Sequence, residues 1–142
     1  MFVIRKLFKV DAAHQLSTAV TKACFETIHG HSYKIEVFFG SKKLGAHDMV
    51  LDFGFMTDLK EKIMQSYDHA LLMPESTDQA YLTALCRNNV RVRLVKGNPT
   101  AEMMAQDIFL LVQGWVSSKL EKGFAMPTLM EVRVHETDTG WA

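Results

Sequence analysis

Three histidines near the start of the chain could bind one metal ion. His29 and His31 are separated by a single residue, and His14 ends the alternating segment that precedes them. Residues two apart on a β-strand project from the same face of the sheet. A histidine from a neighbouring strand would complete a site of three nitrogen ligands. Three protein ligands leave one position open, which is typical of a catalytic zinc ion.

The strands that carry these histidines also present apolar faces. His31 begins an alternating face over 31–39, and His14 ends another over 1–14. If the strands pair, the three imidazoles collect at one end of a buried surface, where each unpartnered ring would cost roughly a few kcal/mol. A bound metal removes that cost, and imidazole suits zinc. The alternative is a hydrogen-bonded core histidine at position 14 and a turn at 29–31.

Cys24 is a second candidate for chemistry. It lies five residues before His29, in the stretch 16–28, which has no strong periodicity and predicts a loop. A loop thiol near a cation can have a lowered pKa and act as a base or nucleophile. The alternative is an unreactive, small apolar side chain.

Asp68 and His69 directly follow a predicted helix. An aspartate can orient a histidine and stabilise its charged form. Adjacent side chains rarely bond each other well in this way, however. The residues alone therefore favour a helix end at which His69 interacts with the last carbonyl groups.

Glu136 continues the apolar face of a predicted strand that also holds Val132 and Val134. A carboxylate in such a place matches two parallel N–H donors of a ligand. Alternatively the strand has already ended and Glu136 is solvated; the sequence leaves both interpretations open.

Thr100 and Glu102 stand at the start of a long predicted helix. Both residue types favour capping of the helix N-terminus at such positions.

Size and composition limit the number of domains, the partners and the compartment that we expect for this chain. The chain has 142 residues, a formal net charge of zero and two cysteines, so we expect a single domain over 1–142. The charge balance argues against nucleic-acid or membrane partners. We expect neither a signal peptide nor a membrane span, and a reduced cytoplasm is the simplest compartment.

The elements that must position these residues follow from periodicity. Strands are predicted at 1–14, 31–39, 49–51, 90–95 and 129–136, and helices at 55–67, 78–86 and from Asn98-Pro99-Thr100 towards a stop at Gly123. Asn98 can cap the last helix, and proline is tolerated in a first turn. Hairpin-linked strands with two main helices indicate an α+β fold with an antiparallel sheet.

Six short motifs in order resemble the 6-pyruvoyl-tetrahydropterin synthase family, which includes the bacterial 6-carboxytetrahydropterin synthases of queuosine biosynthesis. They span nearly the whole chain: 12–14 (AAH), Cys24 with 29–33 (HGHSY), 49–53 (MVLDF), 68–72 (DHALL), 98–102 (NPTAE) and 134–137 (VHET). The resemblance implies the tunnelling fold, or T-fold: an antiparallel four-stranded sheet with two helices on one side. Trimers would close a barrel, and two trimers would stack into a hexamer.

The resemblance also assigns roles to the residues. Zinc would be bound by the three histidines, with Cys24 as the proton-abstracting base, and Asp68 and His69 would reach it from a neighbouring subunit. Glu136 would anchor the 2-amino group and N3 of a pterin, with Thr100 beside the same pocket. The implied substrate is 7,8-dihydroneopterin triphosphate. The implied product is 6-carboxy-5,6,7,8-tetrahydropterin, with acetaldehyde and triphosphate, or 6-pyruvoyltetrahydropterin.

The spacing in one loop departs from the family pattern and keeps alternatives open. Four residues separate Cys24 from His29, where the queuosine branch usually has three, and Glu26 lies in this loop. A third branch uses glutamate as the base and forms 6-hydroxymethyl-dihydropterin for folate. A non-catalytic oligomeric domain that binds zinc and pterin is a further alternative. The role of the long segment 73–97 is not assigned.

Overall fold

The computed structural model describes residues 1–122 and 124–142 of the chain, together with every side chain of these residues except that of Ala46. Its strands are β1 (Phe2–His14), β2 (His29–Ser41), β3 (Ala70–Pro74), β4 (Val92–Val95) and β5 (Thr128–His135). Its α-helices are α1 (Lys22–Glu26), α2 (Thr57–Tyr67), α3 (Gln79–Arg87) and α4 (Ala101–Glu121). Two short 3-10 helices, Ala46–Asp48 and Phe53–Met56, precede α2.

The strands form one mixed sheet in the order β4-β3-β1-β2-β5. β1 and β2 are antiparallel over their whole lengths, and β5 is antiparallel to β2. β3 runs parallel to the end of β1, where Ala12–His14 pairs with Ala70–Leu72, and β4 runs parallel to β3. The fold is α+β as predicted, but the expected four-stranded antiparallel sheet is wrong, because β3 and β4 add a parallel extension.

Strand β3 of the parallel extension was not predicted, and the reason is physical. All five residues of β3 are buried, so its sequence is a short apolar run without the alternation that identifies a half-exposed strand. The 70–74 run also follows a helix directly and has no turn signal before it. α3 then supplies the crossover that parallel strands need.

Most other predicted elements are confirmed within a few residues, with three exceptions. Residues 49–51 are not a strand; they lie between the two 3-10 helices, the second of which is capped by the Asp52 side chain. The predicted loop 16–28 contains the short helix α1. Thr100, not Asn98, caps α4, since its hydroxyl accepts a hydrogen bond from the Met103 N–H. The predicted helix stop, Gly123, lies outside the described residues.

The main core lies between α2, α4 and one face of the sheet. Alternate residues of β1 and β2 are buried there against helical side chains such as Leu59, Ile63, Ile108 and Trp115. The predicted faces of β1 and β2 are therefore confirmed. His14, at the end of this apolar surface, is completely buried.

A second, smaller core lies on the other side of the sheet. Leu71 and Met73 of β3 pack with Leu82 of α3, and Ala13 contacts this cluster. Ala13 projects from the face of β1 opposite to that of His14, since successive residues of a strand alternate. α3 therefore covers part of the opposite face, at β3 and the end of β1. Among the helices that the structure describes, none has the length and apolar character that crossing a bilayer requires.

Candidate metal centre and adjoining cavity

The pairing of β1 with β2 brings the three predicted histidines together. His14 lies opposite His29, and Ala12 lies opposite His31, at the ends of the two strands. Cross-strand partners share a face of the sheet, and so do residues two apart on a strand. The ring nitrogens available as ligands lie within 4.8 Å of one another, and the Nε2 atoms of His14 and His29 are 3.0 Å apart.

Hydrogen bonding prepares His14 to act as a ligand. Its Nδ1 lies 2.7 Å from the carbonyl oxygen of Pro99, the residue before the N-cap of α4. A carbonyl can only accept, so Nδ1 carries the proton and Nε2 presents its lone pair to the cluster. Burial lowers the pKa of His14, which favours the neutral ring that a metal requires.

His31 supplies the strongest sign that an ion belongs here. Its Nε2 atom is buried and has no hydrogen-bond partner among the described residues. An unsatisfied buried polar atom is costly, and a metal ion would satisfy it. Tetrahedral zinc with Zn–N bonds of about 2.0–2.1 Å needs nitrogens about 3.4 Å apart. The 3.0 Å between the Nε2 atoms of His14 and His29 is close to this distance, and three imidazoles are a suitable donor set.

Glu136 borders both the histidine cluster and a cavity. Its Oε1 atom lies 3.6 Å from Nε2 of His14 and 3.8 Å from Nε2 of His31. The carboxylate is half-buried and lines a cavity of about 320 Å³ together with Leu16, Thr100 and Trp141. Glu136 is the first residue after β5, and the chain end folds back on that strand through paired hydrogen bonds between Val134 and Ala142.

Tyr33 completes the inner wall of the cluster and was not predicted as a site residue. It is completely buried, and its hydroxyl lies 3.3 Å from Nδ1 of His14. Burial, followed by the charge of Glu136, raises the pKa of Tyr33. The phenol therefore stays protonated near neutral pH and serves as a hydrogen-bonding group rather than a base. The alternation of β2 predicted that Tyr33 lies on the buried face. The sequence could not predict its contact with His14, which lies on another strand.

Cys24 lies on α1, in the connection between the two strands that carry the histidines. Its side chain is half-buried, and its carbonyl oxygen accepts a hydrogen bond from the Leu16 N–H at 3.2 Å. Cys24 is not part of the group of metal-ligating atoms found among the described residues. The Glu26 side chain, on the same helix, is 53% exposed and lies 3.6 Å from Lys22.

Asp68 and His69 are bonded to each other at the end of α2. The His69 Nδ1 donates to Asp68 at 2.9 Å, and the Asp11 N–H donates to the other carboxylate oxygen at 3.0 Å. The backbone bond of Asp11, and secondarily the His69 ring, hold the pKa of Asp68 below its usual range. The expectation that adjacent side chains would not bond is wrong, because His69 has a φ of 56°, which turns its ring back.

The structure does not place Asp68 or His69 among the metal-ligating atoms of the same chain. The His69 side chain is 78% exposed. It lines a separate cavity of about 620 Å³, whose walls come from β1, β2, β3 and the stretch around β4, and which His31 also reaches. Within one described chain, the predicted site residues therefore divide into the histidine cluster with Glu136 and Thr100, the Cys24 loop, and the Asp68–His69 pair.

Comparison with known proteins identifies the family of this chain. The model of the family described as 6-pyruvoyl tetrahydropterin synthase matches residues 3–142. The chain belongs to this family. A 6-carboxy-5,6,7,8-tetrahydropterin synthase from Helicobacter pylori strain J99 is 30% identical over 141 residues, which are 99% of this chain and 70% of that protein. The enzyme of the same description from Haemophilus influenzae is 33% identical over 115 residues, covering 77% of this chain and 80% of that protein.

Solved structures share the fold at lower identity. An uncharacterized protein from Wolinella succinogenes superposes with a TM-score of 0.74 at 18% identity, covering 99% of this chain and 96% of the other. A 6-pyruvoyltetrahydropterin synthase variant from Plasmodium vivax gives 0.70 at 17% identity, covering 100% and 96%. These similarities confirm the α+β architecture of the family.

Proposed function

We propose that this chain is a zinc-dependent lyase that converts 7,8-dihydroneopterin triphosphate to 6-carboxy-5,6,7,8-tetrahydropterin, with release of acetaldehyde and triphosphate. The observation that carries this proposal is the convergence of His14, His29 and His31 on one point bordered by Glu136. Membership of the family supports the reaction class. The description shared by the curated relatives supports the carboxytetrahydropterin product.

The three histidines would hold the zinc ion, with the Pro99 carbonyl fixing the ring of His14. When bound, zinc supplies Lewis-acid polarisation of the substrate side chain. The chain's own groups then bind and orient the substrate. Their placement at the edge of a buried apolar surface also strengthens electrostatic contacts relative to those in bulk water.

Glu136 and Thr100 are suited to hold the pterin ring. A carboxylate accepts two parallel hydrogen bonds, and the 2-amino group and N3 of a pterin offer two such donors. Thr100 already accepts a bond from the Met103 N–H, so its own hydroxyl proton stays available for a ligand in the same cavity.

We assign proton abstraction from the substrate side chain to Cys24. The half-buried thiol lies in the connection between the histidine-bearing strands, whereas Glu26 lies beside Lys22 and is largely exposed. The Plasmodium vivax enzyme has a catalytic glutamate, as its variants are described. A glutamate-based reaction of Glu26, forming 6-hydroxymethyl-dihydropterin, is therefore the second candidate.

Asp68 and His69 would act on the site of a neighbouring subunit in a homo-oligomer, a trimer or a dimer of trimers. Two observations support this assignment. His69 is exposed on the surface, and its ring is held by a carboxylate that is itself bonded to the backbone. A histidine oriented in this way can exchange a proton with a substrate held by another chain.

The test is a product analysis with matched variants. Zinc-loaded protein is incubated with dihydroneopterin triphosphate, and the pterins and aldehydes are identified by mass. We expect 6-carboxytetrahydropterin and acetaldehyde, and Cys24→Ala should lower the rate at least about a hundredfold, as for loss of a positioned base. Cys86→Ala, at the exposed cysteine on α3, is the control.

Two results would contradict the proposal. A hydroxymethyl product whose formation requires Glu26 and not Cys24 would establish the glutamate-based reaction. Binding of the pterin without any product over a long incubation would mean that the domain is not catalytic.

A further inference from the structure

The side chain of Asn98 connects two segments that are distant in sequence. Its Oδ1 accepts a hydrogen bond from the Ser17 hydroxyl at 3.2 Å, and its amide nitrogen donates to the Thr18 hydroxyl. Thr100 performs the capping of α4, so the Asn98 side chain is not needed for the helix. Its two bonds instead tie the start of the loop 15–21 to the segment before α4.

Within this loop, Leu16 connects the restrained Ser17 to Cys24. Leu16, the neighbour of Ser17, donates its N–H to the Cys24 carbonyl at 3.2 Å and accepts a bond from the Ala19 N–H at 3.1 Å. The Leu16 side chain also lines the cavity that contains Glu136. Restraining Ser17 therefore restrains Leu16, which lines the cavity and is bonded to the backbone of Cys24.

The other end of the connection is rigid. Asn98 precedes Pro99, which is buried, has a restricted φ and accepts the bond from His14. Ser17, Thr18 and Val20 are exposed, and other bonds of this loop, such as that from the Gln15 side-chain amide to the Phe25 carbonyl, stay within the segment 15–26. Two side-chain bonds from a fixed residue thus restrain a segment that would otherwise be free to move.

We propose that Asn98 is a positioning residue that holds the 15–26 segment, and with it the Cys24 thiol, against the metal centre. This inference rests on the proposed function, which assigns proton abstraction to Cys24. Asn98 touches neither the reacting atoms nor the metal. It acts through Ser17, Thr18 and Leu16 on the geometry between the base and the site that binds the substrate.

Two variants of Asn98 separate positioning from a general structural role. Asn98→Ala removes both bonds, and we expect kcat to fall about tenfold with KM changed less than about threefold, as for a misplaced catalytic group. In Asn98→Asp both hydroxyls can donate to the carboxylate, so we expect kcat within about threefold of the unaltered chain. Asn88→Ala, at the C-cap that follows α3, is the matched control because its side chain donates only to the Ala84 carbonyl of that helix.

Hydrogen exchange of zinc-loaded protein provides a readout that does not depend on turnover. In Asn98→Ala the amides of the 15–26 segment should exchange about tenfold faster or more, while those of β1 and β2 stay unchanged. The pair Ser17→Ala and Thr18→Ala should reproduce the effect, and adding Asn98→Ala to it should change nothing further.

The outcomes distinguish this inference from the proposed function. If Cys24→Ala abolishes turnover while Asn98→Ala leaves either kcat or the exchange of 15–26 unchanged, the positioning role is wrong and the proposed function stands. If Cys24→Ala leaves turnover intact, the assignment of the base fails, whatever Asn98 does. An Asn98→Asp variant as impaired as Asn98→Ala would also overturn the inference.

Discussion

The ring of His14 shows how much one hydrogen bond can determine. Its Nδ1 proton is used by the Pro99 carbonyl, so the other nitrogen must face His29 and His31. The sequence predicted His14 as a ligand because it ends an apolar face. It could not predict Pro99 as the partner, since that contact joins residues 85 positions apart. The local strand pattern was thus sufficient to predict that His14 is a ligand. The orientation of its ring depends on tertiary structure and could not be predicted.

Replacing one ligand tests the centre directly. We expect His31→Ala to lower zinc affinity by at least about a hundredfold, since loss of a ligand exceeds the 10–100-fold effect of losing its outer partner. The measurement is the zinc content after dialysis against a competing chelator. His47→Ala, at an exposed histidine outside the cluster, is the control. One retained zinc per chain in His31→Ala would show that the cluster does not bind the ion.

At the scale of elements, Glu36 joins three strands on the face opposite to the metal centre. It is buried on β2, with Arg5 of β1 at 2.5 Å and His135 of β5 at 2.9 Å. The His135 bond, together with Arg5, holds the pKa of Glu36 below its usual value of 4.5. His135 directly precedes Glu136, so the hydrogen bond between His135 and Glu36 also fixes the end of β5 from which Glu136 reaches the cavity.

The lowered pKa predicts how stability depends on pH. A carboxyl group with a lower pKa in the folded than in the unfolded state stabilises the fold at neutral pH. Its contribution begins to fall near pH 4.5 and is lost as the pH passes through the folded value. In metal-free protein, we expect the free energy of unfolding to decline less steeply below pH 5 in Glu36→Gln than in the unaltered chain.

Urea unfolding at several pH values measures this slope. Glu61→Gln, at an exposed position of α2, should leave the slope unchanged. Equal slopes for Glu36→Gln and the unaltered chain would show that Glu36 is not the group responsible.

Some elements of the fold could be predicted from the sequence and others could not. The two-residue period of β1 and β2 was sufficient to place the histidines on one face and to identify the main core. β3 was missed because a fully buried strand has no period, and its pairing with β1 depends on residues more than fifty positions apart. Asn98 was predicted as a helix cap, since nothing in the sequence showed that Ser17 and Thr18 would bind its side chain.

At the scale of the whole molecule, metal binding and folding should be linked. The buried Nε2 of His31 is unsatisfied without an ion, so a metal that binds only the folded chain stabilises it by mass action. With free zinc at about 100 times Kd, the gain of about 2.7 kcal/mol should raise Tm by roughly 5–10 °C.

Thermal unfolding with zinc and with excess chelator measures this difference. His31→Ala should show little or no shift between the two conditions. An equal Tm in both conditions for the unaltered chain would mean that the ion contributes nothing to folding.

The parallel extension has a consequence for the centre. His14 is the last residue of β1, a place where a strand usually frays, yet it is flanked by His29 on one side and Leu72 on the other. Because His14 is paired on both sides, we expect it to be as rigid as a residue in the interior of a sheet. The β3–α3–β4 unit supplies none of the candidate metal ligands, yet its pairing with β1 braces His14. A shortened version of this unit should therefore weaken metal binding before it disturbs the rest of the sheet.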